Sequence, residues 1–479
     1  MDRITRFVLA VAAMVLATIA FSCSDSGTTQ DAVDSSAPRD TGSPLEDSGA
    51  SDAGVGEDSY AVDDVGEADG GVDASEGDAG LDGGADVGFD SGEDAGWDAG
   101  LDGSIDAGSD AGTDAGADAG FDVGNCTPDP QAAADAPRTV LLAHPYGPNG
   151  SDCGRFVEVL KLGTDGKLTT TGTQLDVDPC PKRIVFSPDG RLVLIASYDD
   201  HVAPHPMSVK VFRHDAAGVL AYFQTITELD GTAPEDIVFS HDGKRAYVTD
   251  GDSQGGVHVL DVIPGCGAAY VTKIPMWVPS SLVVLPGDTF AVAFGGQDPV
   301  DAAVLDLVKN EVVQTYDIFG GFVDGPTTAL SPDGKHILVP SGNPYSDVPN
   351  TLFVVVVDSS GAAPVPSTAQ TLTGVNTPFG VLYSPDGTKA LVTNVESDMA
   401  TWYTVAQDGT LASGGTITGM SLADRMALLA RGPNAGTVLV GALSDVHVLK
   451  FGASGVSKVM KLAGGSGYDA MTGDVAIEP

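Results

Sequence analysis

The chain has 479 residues, with 67 acidic against 23 basic ones and a formal net charge of −44. So acidic a chain excludes a nucleic-acid backbone as its partner. The charge is unevenly spread, however, and each segment has to be read by itself.

Arg3 and Arg6 open the chain, and an apolar run follows from Phe7 to Phe21. That run is shorter than the roughly 20 residues a membrane span needs and has the length of an export signal. Ser22-Cys23 closes it. A small residue before a cysteine resembles a bacterial lipobox, which makes Cys23 the expected lipidation site and mature N-terminus. Ala20 stands where such motifs usually carry leucine, and ordinary signal cleavage nearby is the alternative. Either route exports the protein. A lipid anchor would make it a cell-envelope lipoprotein, and Ser24 after the cysteine points to the outer membrane or cell surface.

From Ser24 to Asn125 the chain is Asp, Gly, Ala and Ser, with 28 acidic residues against a single basic one, Arg39. Beyond Asp78 it settles into a four-residue unit, "DAGSDAGTDAGADAG". Aspartate and glycine are poor helix and strand formers, and like charges at this density keep a segment expanded. Residues 24–125 are therefore expected to be a disordered tether, with a reach of about 55 Å as a flexible coil. Calcium binding by the repeated aspartates is the competing reading, but the unit matches neither an EF-hand loop nor the nonapeptide calcium repeat. With −27 assigned to the tether and +1 to the signal, the remainder carries −18.

From about Arg138 the chain repeats. "RIVFSPDG", "DIVFSHDG", "TALSPDG" and "VLYSPDG" recur, and Pro188, His241, Pro286, Pro332, Pro385, Pro433 and Pro479 mark successive copies 45–53 residues apart. Spacing of this order suits four-stranded propeller blades. The copies at Pro286 and Pro433 are degenerate and are assigned by spacing. In Ser187-Pro188-Asp189-Gly190 the serine, proline and glycine hold the favoured places of a type I turn, so Asp189, Asp242, Asp333 and Asp386 are expected to form turns rather than to catalyse. After each turn comes a strand apolar on both faces, such as "RLVLIAS", "KRAYVTD" and "TKALVTN", as a blade between two neighbours requires. A third strand and a Thr- and Val-rich fourth follow, with no amphipathic helix between: the class is all-β. The first unit, starting at "TVLLAHP", lacks a first strand, and the C-terminal "DVAIEP" is a first strand alone. Paired, they close a ring of seven blades over 126–479 without a free edge.

On the residues "SPDGRLVLIAS", "SHDGKRAYVTD" and "SPDGTKALVTN", this region resembles the seven-bladed propellers built from Tyr-Val-Thr-Asn repeats. Within them it is similar to the lactonase family related to 6-phosphogluconolactonase. The resemblance implies the fold across the ring. It implies activity less directly, because that family often carries Pro-Arg-His before a first strand and Asn-Glu after the next one. Here Pro234-Glu235-Asp236 and Thr249-Asp250 stand in those places. Pro181-Lys182-Arg183, one blade earlier, keeps positive charge but has no histidine.

Propeller topology puts the Pro-Asp-Gly turns on one face and the second-to-third strand loops, with the blade connections, on the other. Ligand sites in this architecture usually lie on that second face. Its densest polar set is Asp199, Asp200, His201 and His205, with Glu235, Asp236, Asp250 and Asp252 from the next blade. His201, His205 and Asp250 are the candidates for acid–base chemistry or metal binding, against the plainer reading of a hydrated acidic loop. Asp199, Asp200, Glu235, Asp236 and Asp252 are candidate ligand contacts. Trp277 either stacks a ligand or plugs the channel mouth. His144 is expected to be a structural residue at a strand end. No nucleophile elbow, phosphate loop or Cys-x-x-Cys motif occurs, and no cofactor is expected.

Cys126, Cys153, Cys180 and Cys266 make an even set in an exported chain, which predicts disulfides. Topology favours Cys153–Cys180 on one face and Cys126–Cys266 on the other. The sequence thus leads to a monomeric, membrane-anchored propeller that binds a protein, glycan or small molecule. The alternative is a lactonase-type hydrolase with a modified active site.

Overall fold

The structure, a computed structural model, describes residues 133, 135–146, 153–198, 206–295, 300–320, 327–342, 350–442, 445–463 and 473–479. Residues 1–23, with Cys23, the segment 24–125 and Cys126 lie outside the described residues, as do Asp199, Asp200, His201 and His205. Among the described residues every regular element is a β-strand.

Seven four-stranded antiparallel sheets form the blades of a ring. Blades are numbered here in chain order, beginning with the composite one. In blade 1 the C-terminal strand Val475–Ile477 lies beside Arg138–Tyr146, followed outward by Cys153–Leu162 and Leu168–Asp176. The innermost strands of blades 2 to 7 are Pro181–Phe186, Pro234–Phe239, Pro279–Val284, Ala329–Leu330, Pro378–Tyr383 and Met426–Leu429. The innermost strand of blade 1 touches those of blades 2 and 7, which closes the circle.

The double-sided apolar character of the second strands has the predicted consequence. Leu192–Tyr198 is buried at every residue but the last, and His336–Ser341 throughout. Alternate side chains enter different inter-blade layers: Leu194 packs with Val248 of blade 3, while Ile195 packs with Leu141 and Ala143 of blade 1. Each such side chain removed from water contributes about 1.5–3 kcal/mol. The outermost strands, such as Leu168–Asp176, are exposed along most of their length, which accounts for their threonines.

The turns between first and second strands behave as their sequence suggests. Ser187 Oγ donates to Asp189 at 2.6 Å, and Gly190 N–H to the Ser187 carbonyl at 2.8 Å. Ser240, Ser331 and Ser384 bond Asp242, Asp333 and Asp386 in the same way. The degenerate copies at Pro286 and Pro433 also fall between the first and second strands of their blades.

These turns also touch one another. In three blades the turn glycine faces the turn proline of the preceding blade: Gly243 faces Pro188, Gly334 faces Pro286 and Gly387 faces Pro332. Gly190 of blade 2 faces Pro479, with a notional Cβ 3.5 Å from its Cδ. The last proline therefore holds the place the other turn prolines hold, and the composite blade joins the ring as the others do.

Glu478 secures the same junction. Its carboxylate accepts the Thr139 N–H at 3.0 Å and lies 3.5 Å from the Arg138 guanidinium. His214 links blade 2 to blade 1 through Thr139 Oγ1 at 2.9 Å and holds the Gly190 carbonyl at 2.7 Å.

Cys153 and Cys180 are disulfide-bonded, with 4.6 Å between their Cα atoms, as predicted. The bond ties the start of the second strand pair of blade 1 to the connection into blade 2. Cys266 is disulfide-bonded as well, to a partner outside the described residues.

The turn packing is testable. Gly334 and Gly287 both have positive φ, 73° and 94°, so alanine strains either backbone by about 1 kcal/mol. Only at Gly334 would the new Cβ run into a proline ring, that of Pro286, whereas Gly287 has open space. Gly334→Ala should therefore cost about 1–3 kcal/mol more than Gly287→Ala in urea unfolding.

Candidate functional site

Strand register puts one residue of each blade at an equivalent place, where the innermost strand enters the ring beside the central channel. In blade order these are Asp474, Arg183, Asp236, Ser281, Thr327, Gly380 and Arg425. Four adjacent blades, 7, 1, 2 and 3, present charges; blades 4, 5 and 6 present neutral groups. Half of the channel mouth is thus ionic. The preceding residues extend the ionic half with Asp424, Lys182 and Glu235.

The ion pairs run from blade to blade. Arg183 donates from Nε to Asp236 at 2.7 Å and from Nη1 to both oxygens of Asp474 at 2.8 Å. Asp474 also accepts the Ile184 N–H at 2.7 Å and the Val475 N–H at 3.0 Å. Lys182 meets Glu235 at 2.7 Å and sits over the Tyr198 ring. Arg425 crosses from blade 7 to donate to the Glu235 carbonyl at 2.9 Å. It spans the channel, since blades 1 and 2 lie between.

Electrostatics separates these groups. Burial opposes the charge of Arg183, but Asp474 and Asp236 outweigh it and raise its pKa, so it stays a cation. For Lys182 burial is likewise overcome, chiefly by Glu235, and its pKa is raised too. Burial pushes the Asp236 carboxyl above its usual range in spite of Arg183 and Arg425. Asp424 is raised as well. Its Oδ1 has no hydrogen-bond partner. Burial pushes its pKa up to about 6, against the pull of Arg425, Lys182 and Arg183, and the charge of Asp474 adds to the rise.

Of the residues singled out from sequence, Glu235 and Asp236 are brought into this cluster. Asp250 is buried, and its Oδ1 accepts the Ala233 N–H at 3.0 Å and the Asp252 N–H at 3.3 Å. Its other oxygen lies 3.9 Å from His258 Nε2. Asp252 bonds Thr232 and caps its own loop through Gln254 N–H. Both support the connection between blades 2 and 3. Trp277 is exposed in the connection from blade 3 to blade 4. His144 is buried at a strand end, stacked on Phe156 and 3.5 Å from Glu158. Among the described residues no group of three or more His, Cys, Asp or Glu is placed to hold a metal.

Asp424, Arg425 and Asp474 are not apparent from sequence motifs. Asp424-Arg425 precedes the most degenerate turn of the ring, and Asp474 precedes the lone last strand. Counting back from each innermost strand would have found them, because all occupy the positions of Lys182-Arg183 and Glu235-Asp236.

No family model matches the chain, and no curated protein matches its sequence. Solved structures do share its fold. A periplasmic gluconolactonase from Pseudomonas aeruginosa is 18% identical with a TM-score of 0.56, over 72% of this chain and 99% of that one. Putative 6-phosphogluconolactonases from Bacteroides fragilis and Bacteroides uniformis are 14% and 15% identical, each with a TM-score of 0.56. They are covered over 99% of their length, by 73% and 71% of this chain respectively. The seven-bladed propeller with lactonase-like neighbours is therefore established as the fold, and at these identities the likeness is one of fold.

The buried Arg183–Asp474 pair and the half-exposed Lys182–Glu235 pair should differ in energetic weight. Asp474→Ala leaves Arg183 and two backbone donors short of an acceptor and should cost about 3–5 kcal/mol in urea unfolding. Glu235→Ala should cost about 0–1 kcal/mol by the same measurement.

Proposed function

We propose that the chain is an exported lactone hydrolase working at the ionic half of its central channel. The observation that carries this reading is Asp424: a carboxyl with a pKa of about 6 and an unpartnered oxygen, beside three cations. A general base is most effective when its pKa lies near the working pH. The lactonase-like fold of the neighbouring structures supports the same reading. It displaces the binding module expected from sequence, which rested on the lack of any catalytic grouping.

In the proposed reaction ionised Asp424 takes a proton from a water as its oxygen attacks the lactone carbonyl carbon. The negative charge that develops on the carbonyl oxygen is stabilised by Arg425 and Lys182, already held in place by Glu235. As the tetrahedral centre collapses, the ring C–O bond breaks and protonated Asp424 returns the proton to the leaving alkoxide. Lactone and water become a hydroxy acid, and the Asp424 carboxylate is restored. Asp236 and Asp474 position Arg183 and remain spectators.

The Cys153–Cys180 disulfide fits an oxidising compartment. Lipidation at Cys23 and a spacer role for 24–125 complete the proposal, placing the ring at a distance from an envelope membrane.

Purified protein should hydrolyse glucono-1,5-lactone above the spontaneous rate. Asp424→Asn should lower kcat/KM by about 10²–10⁴-fold. Because the base acts in its ionised form, background-corrected kcat/KM should rise with pH through about 6 and level off above it. No turnover above background across a panel of sugar and aliphatic lactones would reject the hydrolase and leave a binding module.

A further inference from the structure

The neighbouring folds include proteins described for a neutral lactone and for a phosphorylated one, and the charges of this channel distinguish the two. A site for a phosphoryl group needs cations with donors to spare, typically an arginine fork or a lysine free of other partners. Here the cations are committed. Arg183 is held between Asp236 and Asp474, and Lys182 is held by Glu235 at 2.7 Å. Arg425 donates to the Glu235 carbonyl and interacts with Asp424.

Carboxylates also outnumber cations in the cluster. Asp236, Asp474, Glu235 and Asp424 face Lys182, Arg183 and Arg425, so the mouth is neutral when Asp424 is protonated and negative when it acts as a base. Among the described residues of the surrounding face, Lys210 is paired with Asp178 at 3.0 Å and Lys273 with Asp230 at 3.0 Å, and Arg155 lies exposed on the third strand outward from the channel.

We infer that this site is selective for uncharged lactones and rejects phosphorylated or carboxylated ones, an inference that rests on the lactone reading above. A dianionic group would have to leave water beside Glu235, Asp474 and Asp424, with no cation in the cluster beyond the committed Arg183 and the Lys182 and Arg425 that serve the carbonyl oxygen. Hydroxyl groups can instead accept from Lys182 and donate to carboxylate oxygens, so a polyol lactone fits the balance of donors and acceptors. Glu235 becomes the specificity-determining residue, because its carboxylate is what neutralises Lys182.

The test compares glucono-1,5-lactone with its 6-phosphate as substrates of the full-length protein. In parallel, gluconolactam and gluconolactam 6-phosphate, which do not hydrolyse, are titrated calorimetrically. The inference expects kcat/KM for the neutral lactone to exceed that for the phosphorylated one by about 100-fold or more. It expects the neutral lactam to bind and its phosphate not to. Glu235→Gln frees Lys182 and should narrow the difference by about 10-fold, through tighter binding of the phosphate. Equal or better use of the phosphorylated lactone, or a Glu235→Gln variant with unchanged discrimination, overturns it. If neither lactone is turned over, the hydrolase reading falls while the lactams still decide selectivity: neutral binding alone upholds the inference, and binding of the phosphate or of neither defeats it.

Discussion

The ring depends on one ion pair. Asp474 stands at the start of a three-residue strand and holds Arg183 of the next blade with both oxygens, while also accepting two backbone N–H groups. A strand this short has few ladder bonds of its own, and Glu478 secures its other end against Arg138 and Thr139. Three apolar residues between two carboxylates thus fill the gap in blade 1, and Val475 and Ile477 enter the same core as Val140 and Leu142. Closure of a propeller demands that the first and last segments meet, and charge at this junction specifies the register that an apolar strand alone would leave to slip.

The same pair organises the channel. By holding Arg183, Asp474 fixes the guanidinium against Asp236 of blade 3, so blades 1, 2 and 3 are tied in series. Asp424 stands apart from these carboxylates because its Oδ1 accepts no hydrogen bond. Asp474, Asp236 and Asp250 are each satisfied by a guanidinium or by backbone N–H groups. At Asp424 the cost of burial outweighs the pull of Arg425, Lys182 and Arg183. Burial that outweighs neighbouring cations is what turns an ordinary acid into a base useful near neutrality. A site assembled from the residues that close the fold also explains why the chemistry sits on rigid strand ends rather than on the longer loops.

Much of the fold could be read in the sequence, for reasons tied to local physics. The Ser-x-Asp-Gly turns fix themselves by hydrogen bonds two and three residues long, and second strands such as Leu192–Tyr198 announce burial on both faces. The composite blade followed from what its two fragments lacked. The Cys153–Cys180 pairing followed from topology alone. The site was only half legible. Glu235 and Asp236 drew notice as neighbouring carboxylates, and Lys182-Arg183 as displaced positive charge. Their partners lie 53 residues apart in one direction and 291 in the other, distances over which no motif extends. Asp424 was hidden because the turn that would have marked its strand is degenerate, although its place is that of Lys182 and Glu235 in their blades. Asp250, a candidate from the polar set on the loop face, accepts backbone N–H groups of the loops on either side of its blade's first two strands.

The claim on which the rest turns is that Asp424 is a carboxyl at the channel mouth whose burial outweighs the cations around it. Carbon-13 NMR of the aspartate carboxyls, with Asp424→Asn to assign the signal, measures this directly. The account predicts titration at a pKa of about 6 and a shift of that titration when gluconolactam is added. Titration in the ordinary carboxylate range, unmoved by the lactam, would contradict it.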